Sequence, residues 1–119
     1  MDQALELELR RLGVDLESAI ARFAGKQALY ERFLHEFVND ETYAQLTAAM
    51  GCKDYKAALV AGHTLKGVAG NLGLTALYQA CSQMVEHFRG NSVAAACDAY
   101  CTVQAEYAQI YELLLHAGR

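Results

Sequence analysis

The chain has no proline and no tryptophan in 119 residues. Without proline, the commonest helix breaker is missing, so long helices are permitted from end to end. No run approaches the roughly 18 apolar residues of a membrane span. The N-terminal stretch MDQALELELRR is acidic and amphipathic, unlike the basic-then-apolar plan of a secretory signal. Those two absences point to the cytoplasm. The four cysteines, Cys52, Cys81, Cys97 and Cys101, contain no CxxC pair or other zinc-ligand spacing. Free cysteine behaves as a small buried hydrophobe, so all four are expected in the core. There is also no glycine-rich nucleotide loop, which argues against an ATP site.

What is present is apolar and evenly charged. Hydrophobic residues make up 54% and charged residues 20%, a globular rather than disordered balance. The length suits one domain over residues 1–119 with a real core. A net charge of −4 and a pI near 5.5 disfavour nucleic acid and anionic membrane as partners.

Gly13, Gly25, Gly51, Gly73, Gly90 and Gly118 punctuate segments that read as helices. Residues 2–12 repeat leucine at 5, 9 and 12. Asp15 is placed to cap a short helix through Ala24, closed by Gly25. Residues 26–50 carry Leu29, Phe33, Leu34, Phe37 and Val38 at helical spacing, with a bend expected at Asn39-Asp40. A helix follows over 53–72. Thr75 is the expected cap of 76–89, and Ser92 that of 93–117. The last segment places Val93, Ala96, Tyr100, Val103, Tyr107, Ile110 and Leu114 in steps of three and four, the seam of a bundle. No segment alternates like a strand. The fold predicted is an all-α antiparallel four-helix bundle with one or two short extra N-terminal helices.

One stretch, AGHTLKGVAGNLG at 61–73, stands out. A wheel centred on His63 puts Ala58, Ala61, Leu65, Val68 and Leu72 within about 40° of the opposite pole. His63 therefore faces solvent. Lys56, Leu59, Val60, Lys66, Gly67 and Gly70 share its side of the helix. Lys66 lies one turn on, within reach of anything attached to the imidazole. Three interior glycines cost such a helix about 3 kcal/mol relative to alanine, so each needs a reason. Gly62 suits close helix packing. Gly67 and Gly70 suit close approach of a partner to His63. Surface histidines and lysines usually carry no chemistry; it is their coincidence with bare glycine that marks this face.

The stretch HTLKGVAGNLG resembles the signature of histidine-containing phosphotransfer (HPt) domains, through His63, Leu65, Lys66, Gly67, Leu72 and Gly73. The segment DLESAIARFAGKQALYERFLHEF is similar to the two helices that precede the motif in this family. The resemblance implies a phosphorelay intermediate on a four-helix bundle, with the histidine on the second bundle helix. It implies that His63 accepts a phosphoryl group from a receiver-domain aspartate and passes it to another. An exposed imidazole offers an unprotonated ring nitrogen in its neutral form and can then act as the nucleophile. Lys66 would offset a phosphoryl charge close to −2, and Gly67 would leave steric access. No cofactor of its own is implied, since Mg²⁺ and the activating carboxylates belong to the receiver. The implied partners are response-regulator receivers and a hybrid sensor histidine kinase, and a monomer is expected.

Some family members place a glutamine near the phosphorylated ring. Val85 holds the approximately matching position here; Gln79 and Gln83 are the nearest candidates, with Gln83 retained. Leu59 and Val60 are docking candidates from the wheel, together with Gly70 and Lys56. Phe23 and Leu29 are candidates by resemblance. All four apolar residues are expected to be partly core. His35, His87 and His116 match no functional position. The alternative is a helical interaction module that binds a receiver or kinase without transferring phosphate. A metal-dependent bundle enzyme is disfavoured because no Glu-x-x-His pair occurs.

Overall fold

A computed structural model describes residues 1–117, and among these every regular element is helical. The α-helices are α1 (Gln3–Arg11), α2 (Leu16–Arg22), α3 (Gln27–Glu36), α4 (Thr42–Gly51), α5 (Tyr55–Asn71), α6 (Thr75–Arg89) and α7 (Val93–Ala117). A single 3₁₀ turn, Phe37–Asn39, joins α3 to α4. Helices α4 to α7 form an antiparallel four-helix bundle, as the periodicity predicts, and α5 is its second member. Helix α1 lies against α7, and α2 and α3 pack on each other at one end.

The helix ends follow from local chemistry. Asp2, Asp15 and Asp54 each accept a backbone N–H from the first turn of the helix that follows, satisfying donors that have no intrahelical partner. Five helices close alike. The residue after the cap adopts a left-handed conformation, at Gly13, Ala24, Lys53, Gly73 and Asn91. The next N–H then reaches back, as from Leu74 to the Ala69 carbonyl at 2.9 Å, the Schellman arrangement.

Several boundary expectations need correction. Gly25 is left-handed, but Ala24 before it already is, so Gly25 follows the turn it was expected to make. Gly51 ends α4 inside the helix and Gly90 is a right-handed cap; Lys53 and Asn91 take the left-handed positions instead. The segment 26–50 is two helices, not one bent helix. The Asp40 carboxylate accepts from the Thr42 N–H at 2.8 Å, which stops the first helix and starts the second. Thr75 is the first residue of α6 rather than its cap; Leu74 precedes it with no side-chain cap. Gly118 lies outside the described residues.

One buried cluster runs from Leu5 through Leu114 and includes Leu46, Leu65, Leu77, Met84 and Val103. The α5–α6 seam is tight: a Cβ built on Gly62 would lie 2.5 Å from Met84 Cε. The α4–α7 side is closed by aromatic rings, with Tyr43 stacked on Tyr107 at 3.7 Å and Tyr100 near Thr47 at 3.3 Å. Phe33 and Val93, although spaced like core residues, are 46% and 38% exposed. The cysteines divide as well. Cys81 is buried and Cys97 half-buried, whereas Cys52 and Cys101 are exposed, so core packing accounts for only part of the set.

The C-terminal turn of α5 ties the N-terminal helices to the bundle. The Tyr30 hydroxyl donates to the Leu72 carbonyl at 2.8 Å, and the Asp15 N–H donates to the Gly73 carbonyl at 2.9 Å. A Cβ on Gly73 would lie 2.7 Å from the Asp15 carbonyl oxygen and 2.9 Å from Ala19 Cβ, at φ +75°. Gly73→Ala is therefore expected to destabilise the fold by about 3 kcal/mol, combining left-handed strain with overpacking. Urea denaturation measures this, with Gly51→Ala, in open space, as the near-neutral control. A loss for Gly73→Ala no larger than that control would contradict the packing described.

Burial pushes the Tyr30 hydroxyl from an ordinary 10.0 up to about 12 and the Cys81 thiol from 9.0 up to about 12. Both groups hold their protons more tightly when folded. Their contribution is complete below the unfolded values and fades as pH climbs through the folded ones. Stability is expected to fall between roughly pH 9 and 12. Tyr30→Phe is expected to lose about 1 kcal/mol at pH 8 with its hydrogen bond and to flatten the alkaline slope. Urea midpoints at stepped pH check both.

Candidate functional site

Helix α5 has two chemically distinct sides. Ala58, Ala61, Leu65, Ala69 and Leu72 are buried, and Val68 is half-buried against them. His63 is exposed on the other side, where the wheel places it. Gly62, between the two, packs on α6 through Met84 and Val85. The Thr64 hydroxyl donates back to the Val60 carbonyl at 3.1 Å, a bond within the helix that occupies the polar group beside the histidine.

The surface beyond His63 is uneven. Around Gly67, nothing beyond the helix's own adjacent backbone and chain neighbours lies within 4 Å of where a Cβ would be, so the helix is bare one turn past the ring. Gly70 differs from expectation. A Cβ there would meet the Tyr78 ring at 3.1 and 3.2 Å, so this glycine seats an aromatic side chain of α6 rather than leaving space for a partner. The Lys66 ammonium lies over that same ring, 5.6 Å from its centroid, a cation–π geometry. Lys66, Arg22 and Asp15 line one groove with Gly67, Asn71 and Tyr78. Reasoning from the sequence missed Tyr78 and Arg22 there. The signal for Tyr78 was a glycine and an aromatic eight residues apart across a Leu-Gly turn, which an antiparallel pair of helices brings face to face.

The other candidates distribute along α5. Val60 is 61% exposed and Leu59 half-buried, flanking His63 toward the helix N-terminus. Val60 is thus more open than expected. Lys56 and Leu59 line a second groove with Tyr55, Phe88 and Arg89. Phe23 and Leu29 are half-buried. Phe23 packs against Tyr30 and Phe33 at ring separations of 5.7 and 5.4 Å. That aromatic group joins the bundle at the Leu72 end of α5, about nine residues or 14 Å along the axis from His63. Phe33, Val68 and Leu72 line a groove there. Gln83 is exposed on α6, and Val85 is fully buried. Of the remaining histidines, His87 and His116 are exposed and His35 is half-buried. His116 pairs with Glu112 at 3.2 Å.

Among the described residues, no group of three or more His, Cys, Asp or Glu side chains is placed to hold a metal ion. No helix among them is long and apolar enough to cross a membrane. The chemistry the surface offers is an accessible imidazole, an ammonium one turn away, and helix backbone stripped of side chains between them and the next turn.

The Hpt domain family model matches residues 28–112, and the chain belongs to that family. Members carry out histidine phosphotransfer in phosphorelays. The match begins inside α3, so residues 15–27 of the stretch that resembled the family lie outside it. No curated protein and no solved structure matches the chain.

The open space at Gly67 has a consequence for stability. Gly67→Ala removes a helix-interior glycine without a clash and is expected to stabilise the protein by about 1 kcal/mol. Denaturant unfolding measures the change. Destabilisation would show that the space is not free.

Proposed function

We propose that this Hpt domain is the intermediate of a multistep two-component phosphorelay, with His63 as its phosphoacceptor. The observation that carries the reading is the exposed His63 with Lys66 one turn on and open backbone at Gly67.

The step is a phosphoryl exchange between two side chains. The unprotonated ring nitrogen of His63 attacks the phosphorus of a receiver's aspartyl phosphate, forming an N–P bond. The O–P bond breaks, the aspartate leaves as a carboxylate, and the other ring nitrogen keeps its proton. Transfer onward to a second receiver reverses this with a new aspartate. The phosphoryl group adds charge close to −2 on this surface, which Lys66 offsets. Mg²⁺ and the carboxylates that activate the aspartate are the receiver's in this reading, so the chain works as a carrier without an ATP site of its own.

A receiver must bring its aspartate to the ring, and bare backbone at Gly67 permits that approach. Val60 and Leu59 supply apolar surface on one side of His63, and on the other Lys66 and Arg22 outnumber the single carboxylate of their groove, Asp15. Both suit an acidic, loop-rimmed receiver site. A hybrid sensor kinase upstream and a response regulator downstream are the partners that this role requires.

Incubation with a phosphorylated receiver should give an acid-labile, alkali-stable phosphate on the chain. His63→Gln should abolish it with helicity intact, and labelling that persists in this variant would overturn the assignment. Lys66→Ala should slow transfer by about five-fold, in keeping with ~1 kcal/mol for a solvent-accessible charge pair. Binding to the receiver with no label on the wild-type chain would favour the interaction-module reading.

A further inference from the structure

Lys66 can serve a phosphoryl group on His63 only when its ammonium is free to reach it. In the resting structure that ammonium lies over the Tyr78 ring, 5.6 Å from the centroid. The ring has its own seat on α5. It seats against Gly70, whose added Cβ would stand 3.1 Å from it, and Gly70 is one turn beyond Lys66. His63 is one turn in the opposite direction. Lys66 therefore stands between two acceptors of its charge on the same strip of α5: an aromatic face toward the helix C-terminus and the phosphorylation site toward the N-terminus.

We infer that Tyr78 is a positioning residue which holds the Lys66 ammonium in the unphosphorylated protein and competes with phosphohistidine for it. This rests on the reading of His63 as phosphoacceptor. Lys66 and His63 lie three residues apart on one side of α5, and lysine has four rotatable bonds on a flexible stem. The ring's hold is weak enough to yield to a dianion yet large enough to be felt in the equilibrium. Phosphorylation draws the ammonium off the ring, and losing the ring contact makes the phosphorylated form less favourable than it would be beside a free lysine. By linkage, whatever binds Lys66 only in the resting state lowers the equilibrium population of the phosphorylated state. Such a device keeps a carrier's phosphoryl group easy to pass on. Gly70 acquires its reason here: a side chain at that position would crowd the ring that holds the lysine.

The test uses phosphoramidate as a small phosphodonor, so that no receiver contact enters. Its N–P bond breaks, ammonia leaves, and a new N–P bond forms on His63. At a fixed phosphoramidate-to-ammonia ratio, the phosphorylated fraction at equilibrium is read by intact mass and phosphorus NMR. Removing the ring with Tyr78→Leu is expected to raise the equilibrium constant about two- to five-fold, the span of an exposed cation–π contact. Tyr78→Phe, which keeps the ring, should match the wild type. In a Lys66→Met background Tyr78→Leu should have no effect. Ring-current shifts of the Lys66 ε-methylene protons should be present in the resting wild type and lost on phosphorylation. An unchanged or lowered constant in Tyr78→Leu, failure of Tyr78→Phe to match the wild type, or an effect that survives Lys66→Met would overturn the inference. A wild type that takes no phosphate at His63 would instead overturn the phosphoacceptor reading, and this inference with it.

Discussion

Two consecutive carbonyls at the end of α5 hold the molecule in register. Leu72 receives the Tyr30 hydroxyl from α3, and Gly73 receives the Asp15 N–H that precedes α2. The left-handed turn at Gly73 stops α5, docks the N-terminal helices and begins α6 within three residues. Midway along the same helix, Gly62 lets Met84 and Val85 of α6 close in. An anchored end and a tight crossing fix both the rotation and the translation of α5. A rotation of one residue, about 100°, would turn the Leu65 row outward and His63 toward the core. The exposure of the histidine is thus set by contacts up to ten residues away from it.

The four glycines between 62 and 73 answer four different requirements. Gly62 is packed under α6 and Gly67 is open. Gly70 is covered by Tyr78, and Gly73 is left-handed against Asp15 and Ala19. Helix propensity alone charges the three interior ones about 3 kcal/mol. Gly62 and Gly70 recover part of this as close packing, since a larger residue at either position would make Met84 or Tyr78 shift, and Gly73 is not inside the helix at all. Gly67 recovers nothing from the fold. A position that costs stability and gains no contact within the chain is where a requirement from outside the chain is expected, and it lies one turn from His63.

This division explains what could be read from the sequence. The two faces of α5 were legible because they depend on one helix and its 3.6-residue period, and the sequence states both. The environment of Gly70 was not legible, because it depends on which residue α6 lays across it. The break at Asp40 was half legible: the tendency of Asn and Asp to compete for backbone groups was visible, but not that the Asp40 carboxylate would capture the Thr42 N–H and divide the helix in two. Ala24, Lys53 and Asn91 took left-handed turns that glycine seemed to reserve, because the hydrogen bonds closing each turn offset roughly 1–2 kcal/mol of strain for a residue with a side chain. Residue type likewise gave no exposure for the cysteines; Cys52 caps α4 and Cys101 sits on the outer side of α7, where only tertiary placement could put them.

Charge placement completes the argument, because net charge alone points the wrong way. A chain at −4 should repel an acidic partner. Screening at physiological salt, however, limits exposed charges to about 8 Å of influence, so a partner meets the local surface and not the sum. Lys66 stands one turn from His63 and Lys56 two turns from it in the other direction. Arg22 joins Lys66 in the groove toward the Gly73 end, where Asp15 is the one carboxylate in the lining. Glu6 and Glu8 of α1 are engaged by Arg10 and Arg11. In the proposed exchange the same local field does two things. It draws in an acidic site, and it lowers the cost of leaving a dianion behind. The first effect favours every phosphorylated partner equally, whereas the second acts only once the phosphoryl group is on the ring. A carrier that must both receive and give up that group needs the second to be moderate. A lysine shared with an aromatic ring meets that condition in a way that a lysine dedicated to the phosphate would not.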